Sequence, residues 1–150
     1  MTGDGRTGYP SSMDAVLLEW TAALAVGIEE IDAQHRELFL RVARVRDAAF
    51  SGDASEVDRT LAFLQQYVEF HFAAEERFMA EQRFPGLERH REEHAWLLQA
   101  VGEIEADHRR DGPTAGATAR VERFLSDWVR THIGVTDLGM ARFVRRARPR

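Results

Sequence analysis

The stretch that decides the fold is residues 55–82, SEVDRTLAFLQQYVEFHFAAEERFMAEQ. Its apolar residues recur every three or four positions, which is the period of an amphipathic helix with one buried face. They are Val57, Leu61, Leu64, Val68, Phe72 and Met79. Ser55-x-x-Asp58 is similar to a capping box, with Asp in place of Glu, so we predict that this helix begins near Ser55 and ends near Gln82.

Three other segments show the same helical period. They are residues 31–50, with Asp32 as the candidate N-cap, residues 85–110, which begin with Pro85, and residues 114–143. Helices of about 20 to 28 residues are roughly 30 to 42 Å long. Because short links join them, we predict an all-α fold, an up-down-up-down four-helix bundle with an N-terminal arm.

The chain divides into three predicted parts. Residues 1–17 are rich in Gly, Ser and Thr and are expected to form a disordered leader. Residues 18–146 are expected to form the bundle, with residues up to Glu30 as an ordered arm. Residues 147–150 form a basic C-terminal tail.

Composition excludes several classes of protein. The 150 residues are 44% apolar and 30% charged. The net charge is -5, and proteins that bind nucleic acid usually carry a basic face, so we expect no nucleic-acid partner. No apolar run reaches the roughly 18 to 20 residues that span a bilayer, and no secretory signal is visible, so we expect no membrane contact and a cytoplasmic location. Without cysteine, any metal must be held by His, Asp and Glu.

Histidines occur on every predicted helix. Five of the six are expected on inner faces, and only His108 falls outside the pattern and is expected to be exposed. His71 and Glu75 are four residues apart, as are His90 and His94. Residues four apart lie one above the other on a helix, so each pair can reach one site.

A third pair has a different spacing. His132 and Asp137 are five residues apart, which leaves them about 140° apart around a regular α-helix. Both can face one site only if the helix widens between them. Gly134 would ease such a π-type bulge, and these bulges favour functional sites.

Together these residues predict a metal centre, although each motif alone is a weak signal. The seven candidate ligands are His35, His71, Glu75, His90, His94, His132 and Asp137. Burying so many polar groups without a metal would be costly. Seven exceeds the four ligands of a structural zinc and suits two metals that share bridging carboxylates.

The ordered set of motifs resembles the hemerythrin family in its single-domain bacterial form. The resemblance covers about residues 19–144. The matching segments are Trp20, Val26-Gly27-Ile28, Ile31-Asp32-x-Gln34-His35, Tyr67-x-x-x-His71-Phe72-x-x-Glu75-Glu76-x-x-Met79, Phe84-Pro85, His90-x-x-x-His94 and Trp128-x-x-x-His132-Ile133-x-x-x-Asp137.

The resemblance implies two iron ions (Fe2+/Fe3+) joined by an oxo or hydroxo group. Glu75 and Asp137 would also bridge them. The imidazoles that complete the first iron would be His90, His94 and His132. His35 and His71 would hold the second iron, which keeps one open position for molecular oxygen. The implied function is reversible oxygen binding as a carrier, store or sensor, rather than enzymatic turnover.

Four apolar residues within one helical turn of the ligands are the expected lining of the oxygen pocket. They are Leu38, Phe72, Val129 and Ile133. Two positions depart from the family pattern, since Met140 stands where Tyr is common and Thr131 where Asn is common. These departures affect hydrogen bonding around the ligands rather than the ligand set.

Three alternatives remain open at this stage. His90-x-x-Glu93-His94 fits a zinc metallohydrolase motif in which Glu93 is the base, although this leaves the other ligands unexplained; otherwise Glu93 is expected to point to solvent or a neighbouring Arg. The same di-iron ligands could serve an oxidase or peroxidase. A sensor would need a protein partner in trans.

Overall fold

The computed structural model describes residues 19–112 and 114–147, so the predicted leader and residues 148–150 of the predicted tail lie outside the described residues. The described helices are α1 (Glu29–Ser51), α2 (Ala54–Glu81), α3 (Leu87–Asp111), α4 (Ala115–Trp128), a π-helical segment (Val129–Asp137) and α5 (Leu138–Ala147). The last three form one continuous fourth helix. Each helix packs against its neighbours in sequence, and the fourth packs against α1. The predicted all-α four-helix bundle is confirmed.

The predicted capping box at the start of α2 is wrong by two residues. Asp53 is the N-cap, and its side chain accepts a hydrogen bond from the Glu56 backbone N–H at 3.1 Å. Ser55 lies inside the first turn, where its hydroxyl donates to Asp53. The sequence Asp53-x-x-Glu56 therefore starts the helix.

The N-cap predicted for α1 is also wrong, because Asp32 lies in the first turn of a helix that begins at Glu29. Its carboxylate accepts hydrogen bonds from the backbone N–H groups of Val26 (2.8 Å) and Gly27 (3.2 Å). Gly27 has a φ of 87°, a conformation that glycine adopts without strain. Asp32 thus fixes the end of the N-terminal arm onto the bundle.

The core is built from the apolar faces that the periodicity predicts. All six apolar residues singled out on α2 are buried. They pack against buried residues of the other helices, which include Leu38, Val42, Val45, Leu97, Val101, Val121, Leu125 and Trp128. Across residues 19–112 and 114–147, no helix is both long and apolar enough to span a membrane.

The fourth helix widens where the spacing of its ligands requires it. Residues Val129–Asp137 are π-helical, so the predicted departure from α geometry is confirmed. The wider turn brings His132 and Asp137 to the same side, where both are buried. A Cβ added to Gly134 would lie 3.8 Å from the Leu24 side chain, an ordinary contact, and its φ is not positive. The π turn therefore does not depend on glycine at this position.

Candidate metal centre

All four helices send ligands into the middle of the bundle. The seven predicted ligands come together there, and each is at most 3% exposed. α1 provides His35, α2 provides His71 and Glu75, α3 provides His90 and His94, and the π-helical segment provides His132 and Asp137. They form two groups that share both carboxylates, and within each group the ligand atoms lie within 4.8 Å of one another.

Glu75 divides its two carboxylate oxygens between the two groups. Oε1 lies 3.0 Å from His35 Nε2 and 3.2 Å from His71 Nε2. Oε2 lies 3.2 Å from His94 Nε2 and 3.5 Å from His90 Nε2. One oxygen is therefore available to each group, which is the arrangement of a bridging carboxylate.

Asp137 is divided in the same way. Oδ2 lies 3.1 Å from His35 Nε2, whereas Oδ1 lies 3.1 Å from His90 Nε2 and 3.2 Å from His132 Nε2. His132 and Asp137 belong to the same helix and are five residues apart. The wider π turn between them lets the Asp137 carboxylate face the same site as His132. Two carboxylates thus span the two groups of imidazoles.

In two imidazoles, the hydrogen-bond partner of the outer nitrogen determines which ring nitrogen carries the proton. His94 Nδ1 lies 2.9 Å from Glu76 Oε1, and His132 Nδ1 lies 2.9 Å from Glu93 Oε1. A carboxylate only accepts, so each Nδ1 carries the proton and, in the neutral ring, each Nε2 carries a lone pair. These two Nε2 atoms are 3.1 Å apart. Two lone pairs at this distance repel unless a cation lies between them, so the donor set fits a metal ion.

His71 supports the same conclusion on the other side. Its Nδ1 lies 2.7 Å from Gln34 Oε1, which leaves Nε2 of the neutral ring as an acceptor facing the Glu75 carboxylate. Within residues 19–112 and 114–147, several inner atoms have no hydrogen-bond partner. They are His71 Nε2, His90 Nε2, Glu75 Oε2 and both carboxylate oxygens of Asp137. Buried acceptors that face each other require a cation.

Protons compete with metal for this site. Burial lowers the pKa of His35. The negative carboxylates of Asp137 and Glu75, whose oxygens lie 3.1 and 3.0 Å from Nε2, outweigh burial and raise this pKa from 6.5 to about 9. The same balance of burial against the two carboxylates raises the pKa of His90 to about 9. Burial raises the pKa of Glu75, yet the imidazoles, His71 first among them, hold it well below its usual value.

Sequence reasoning missed the residues that orient the ligands. Gln34 and Glu76 were part of the quoted motifs but had no assigned role, although each stands beside a ligand in sequence. Glu93 does not point to solvent or to an arginine, because its carboxylate accepts from His132 and, at 3.0 Å, from the Thr136 hydroxyl. This contact holds a ligand in place and gives Glu93 a role other than that of a hydrolytic base.

His108 also differs from its predicted position. It is buried, at 3% exposure, and its Nδ1 lies 2.7 Å from Asp58 Oδ1. It takes no part in either ligand group.

The four residues predicted to line an oxygen pocket are all buried in the main core. Phe72 has the best-defined position. Its ring stacks on His94, with centroids 3.7 Å apart, and its centroid lies 5.6 Å from that of His132. Phe72 therefore packs against two of the three histidines of that group, His94 and His132. Met140 is fully buried and has no hydroxyl, so it cannot donate a hydrogen bond to Asp137 as a tyrosine could.

Comparisons with known proteins give one consistent result. Residues 26–144 match the family described as the hemerythrin HHE cation binding domain. The chain is 30% identical over 122 residues to a bacteriohemerythrin of Methylococcus capsulatus, covering 81% of this chain and 92% of that protein. It is 30% identical over 118 residues to a myohemerythrin of Riftia pachyptila, covering 79% and 86%. A crystal structure of a hemerythrin leucine-to-tyrosine variant superposes with a TM-score of 0.71 at 28% identity, covering 83% and 95%.

Proposed function

We propose that this chain, which belongs to the hemerythrin family, is a non-haem di-iron protein that binds molecular oxygen reversibly. The observation that carries the proposal is the pair of ligand groups that share Glu75 and Asp137. Imidazole with carboxylate is a donor set that suits iron. Two bridging carboxylates also fit two metals better than one.

The two groups differ in a way that suits oxygen binding. His90, His94 and His132 would hold one iron, and His35 and His71 the other, with both carboxylates shared. The second iron would then have one protein ligand fewer, which would leave a position for oxygen. When bound, the iron pair supplies the electrons that reversible oxygen binding requires. The chain fixes the ligands and keeps the centre dry, since every ligand is buried.

We assign the dry lining of the open position to Leu38, Phe72, Val129 and Ile133. Val129 is fully buried and lies one helical turn before His132. Val129→Glu would place a carboxylate within reach of the open position, where a ferric ion would accept it. We expect this variant to keep two irons and its helices but to form no oxygenated species in stopped-flow mixing with oxygen. The matched control Val129→Leu keeps an apolar side chain and should still form it, and an oxygenated band in Val129→Glu like that of the parent would contradict the assignment.

The proposed function is tested by a metal count together with absorption spectra. Protein produced with added iron should contain close to two irons per chain, and its spectrum should change reversibly when the reduced protein meets air. One zinc per chain would favour the hydrolase alternative. Two irons with steady consumption of oxygen and a reductant would favour an oxidase or peroxidase.

A further inference from the structure

A largely apolar cavity with a few polar side chains lies toward the other end of the bundle from the metal centre. It holds about 250 Å³ and is lined by Ile104, Asp107, His108, Ala117, Arg120, Val121 and Phe124. His108 follows His94 by 14 residues on α3, which places the two about 21 Å apart along the helix. The cavity is therefore separate from the ligands described above.

The imidazole of His108 is oriented by one nitrogen and unpartnered at the other. Its Nδ1–H donates to the Asp58 carboxylate at 2.7 Å. Its Nε2 is buried and has no hydrogen-bond partner in the described part of the chain. A buried polar nitrogen without a partner is unfavourable, and this one belongs to a residue that lines a cavity many times larger than one water molecule, which occupies about 30 Å³.

The cavity wall also carries a cationic group. Arg120 lies on its rim, is exposed, and makes no hydrogen bond or ion pair with residues 19–112 or 114–147. The nearest acidic lining residue, Asp107, already binds Arg110 at 2.8 Å. Asp58 is likewise engaged with His108. The remaining walls are apolar, from residues such as Ile104 and Phe124.

We propose that this cavity binds a small organic carboxylate with an apolar body. Its carboxylate pairs with the Arg120 guanidinium and lies beside His108 Nε2, which donates to it when both ring nitrogens carry a proton, with the Asp58 carboxylate on Nδ1. Its hydrocarbon part lies against Phe124 and Ile104. Ala117 belongs to the first turn of α4, where the helix dipole also favours an anion.

A metal ion fits this cavity less well. Across the described residues, groups of three or more potential metal ligands occur only at the metal centre. His108 is the one imidazole of the cavity wall, and the arginine beside it would repel a cation. A carboxylate pairs with the arginine and gives the buried His108 Nε2 a partner.

Benzoate is a suitable probe, and the experiment uses the full iron-loaded chain. Isothermal titration calorimetry should show one benzoate bound per chain, with amide NMR shifts at Ala117 and Val121. Arg120→Ala and His108→Ala should each weaken binding at least tenfold. The visible spectrum of the iron centre should stay unchanged during the titration, which separates this site from binding at iron and from the proposed function.

Two controls make the result decisive. Arg123→Ala removes an exposed arginine from the same helix, outside the cavity lining, and should bind benzoate like the parent. Benzyl alcohol has nearly the same shape without the charge and should bind at least tenfold more weakly than benzoate. Absence of benzoate binding, or binding that Arg120→Ala leaves unchanged, would overturn the proposal. Arg120 is exposed, so its replacement does not put the fold at risk.

Discussion

The two halves of the metal centre share their carboxylates. They differ in the number of imidazoles and in the residues that hydrogen-bond to the outer nitrogens of those imidazoles. The first half has three imidazoles, and carboxylates stand behind two of them, Glu76 behind His94 and Glu93 behind His132. The second half has two imidazoles. An amide, Gln34, stands behind His71, and His35 Nδ1 has no hydrogen-bond partner in the described residues.

This difference suits two tasks within one site, which are tight metal binding and an open coordination position. A carboxylate behind an imidazole increases its basicity and so strengthens its bond to a metal. Under the proposed function, the first half would therefore coordinate its metal tightly and completely. The second half, with fewer candidate ligands and a neutral partner, would keep a position open. We accordingly expect the first half to bind metal more tightly.

Acid should have the largest effect and remove both metals. Burial lowers the pKa of His132. The negative charges of Asp137 and Glu75 and the hydrogen bond that Glu93 accepts from Nδ1 outweigh burial and raise this pKa from 6.5 to about 10. The imidazoles that have such raised pKa values bind protons at neutral pH, so metal must displace protons and its apparent affinity falls as the pH falls. We expect iron loss to be complete below about pH 5 to 6, measured as iron retained after dialysis.

The same raised pKa values determine how the stability of the metal-free fold depends on pH. They stabilise it fully below the unfolded histidine pKa of about 6.5, and this contribution is lost as the pH rises through about 9 to 10. Circular dichroism should therefore show helices after iron is released at about pH 5. Iron retained in full after long dialysis at about pH 4 would contradict the role of these imidazoles.

Asp137→Ala should have the next largest effect, because it removes an oxygen from both halves at once. We expect about one iron per chain or fewer, with the remaining metal in the first half. Glu93→Ala is the control, since it removes a carboxylate that contacts the outer nitrogen of His132 and the Thr136 hydroxyl; it should cost roughly 10- to 100-fold in affinity. Metal analysis after gel filtration measures both. Two irons retained in Asp137→Ala would show that the carboxylate does not bridge.

Exchanging the outer partners should narrow the difference between the halves. Gln34→Glu gives His71 a carboxylate partner, and Glu76→Gln gives His94 an amide. We expect about a tenfold gain in metal affinity for the second half in the first variant and about a tenfold loss for the first half in the second. Chelator competition with Co2+ measures both steps. Equal affinities for the two halves in the parent protein would remove the basis of the comparison.

Gly134→Ala should have the smallest effect. The position has room for a Cβ, and its φ is not positive, so the change in the free energy of unfolding should stay within about 1 kcal/mol. Thermal unfolding and an iron count measure this. Loss of iron would mean that glycine itself maintains the π turn and the placement of Asp137.

Much of the site was predictable because helices give fixed periodicities. The spacings of His71 with Glu75 and of His90 with His94 identified shared faces, and the five-residue gap before Asp137 predicted the widened turn. His108 was placed wrongly because its helix face is covered by Asp58, a residue 50 positions away. The N-caps of α1 and α2 were placed wrongly because several nearby acidic and hydroxyl side chains could each serve as the cap.

The sequence by itself determined the four helices, their buried faces and the seven candidate ligands, because these follow from local spacing and from residue chemistry. Only the tertiary structure decided which carboxylate oxygen faces which half, and which outer residue fixes each imidazole. Contacts such as that of Glu93 with His132, across α3 and the fourth helix, depend on helix rotation and on rotamers. Those are set by packing, which no pattern along one chain contains.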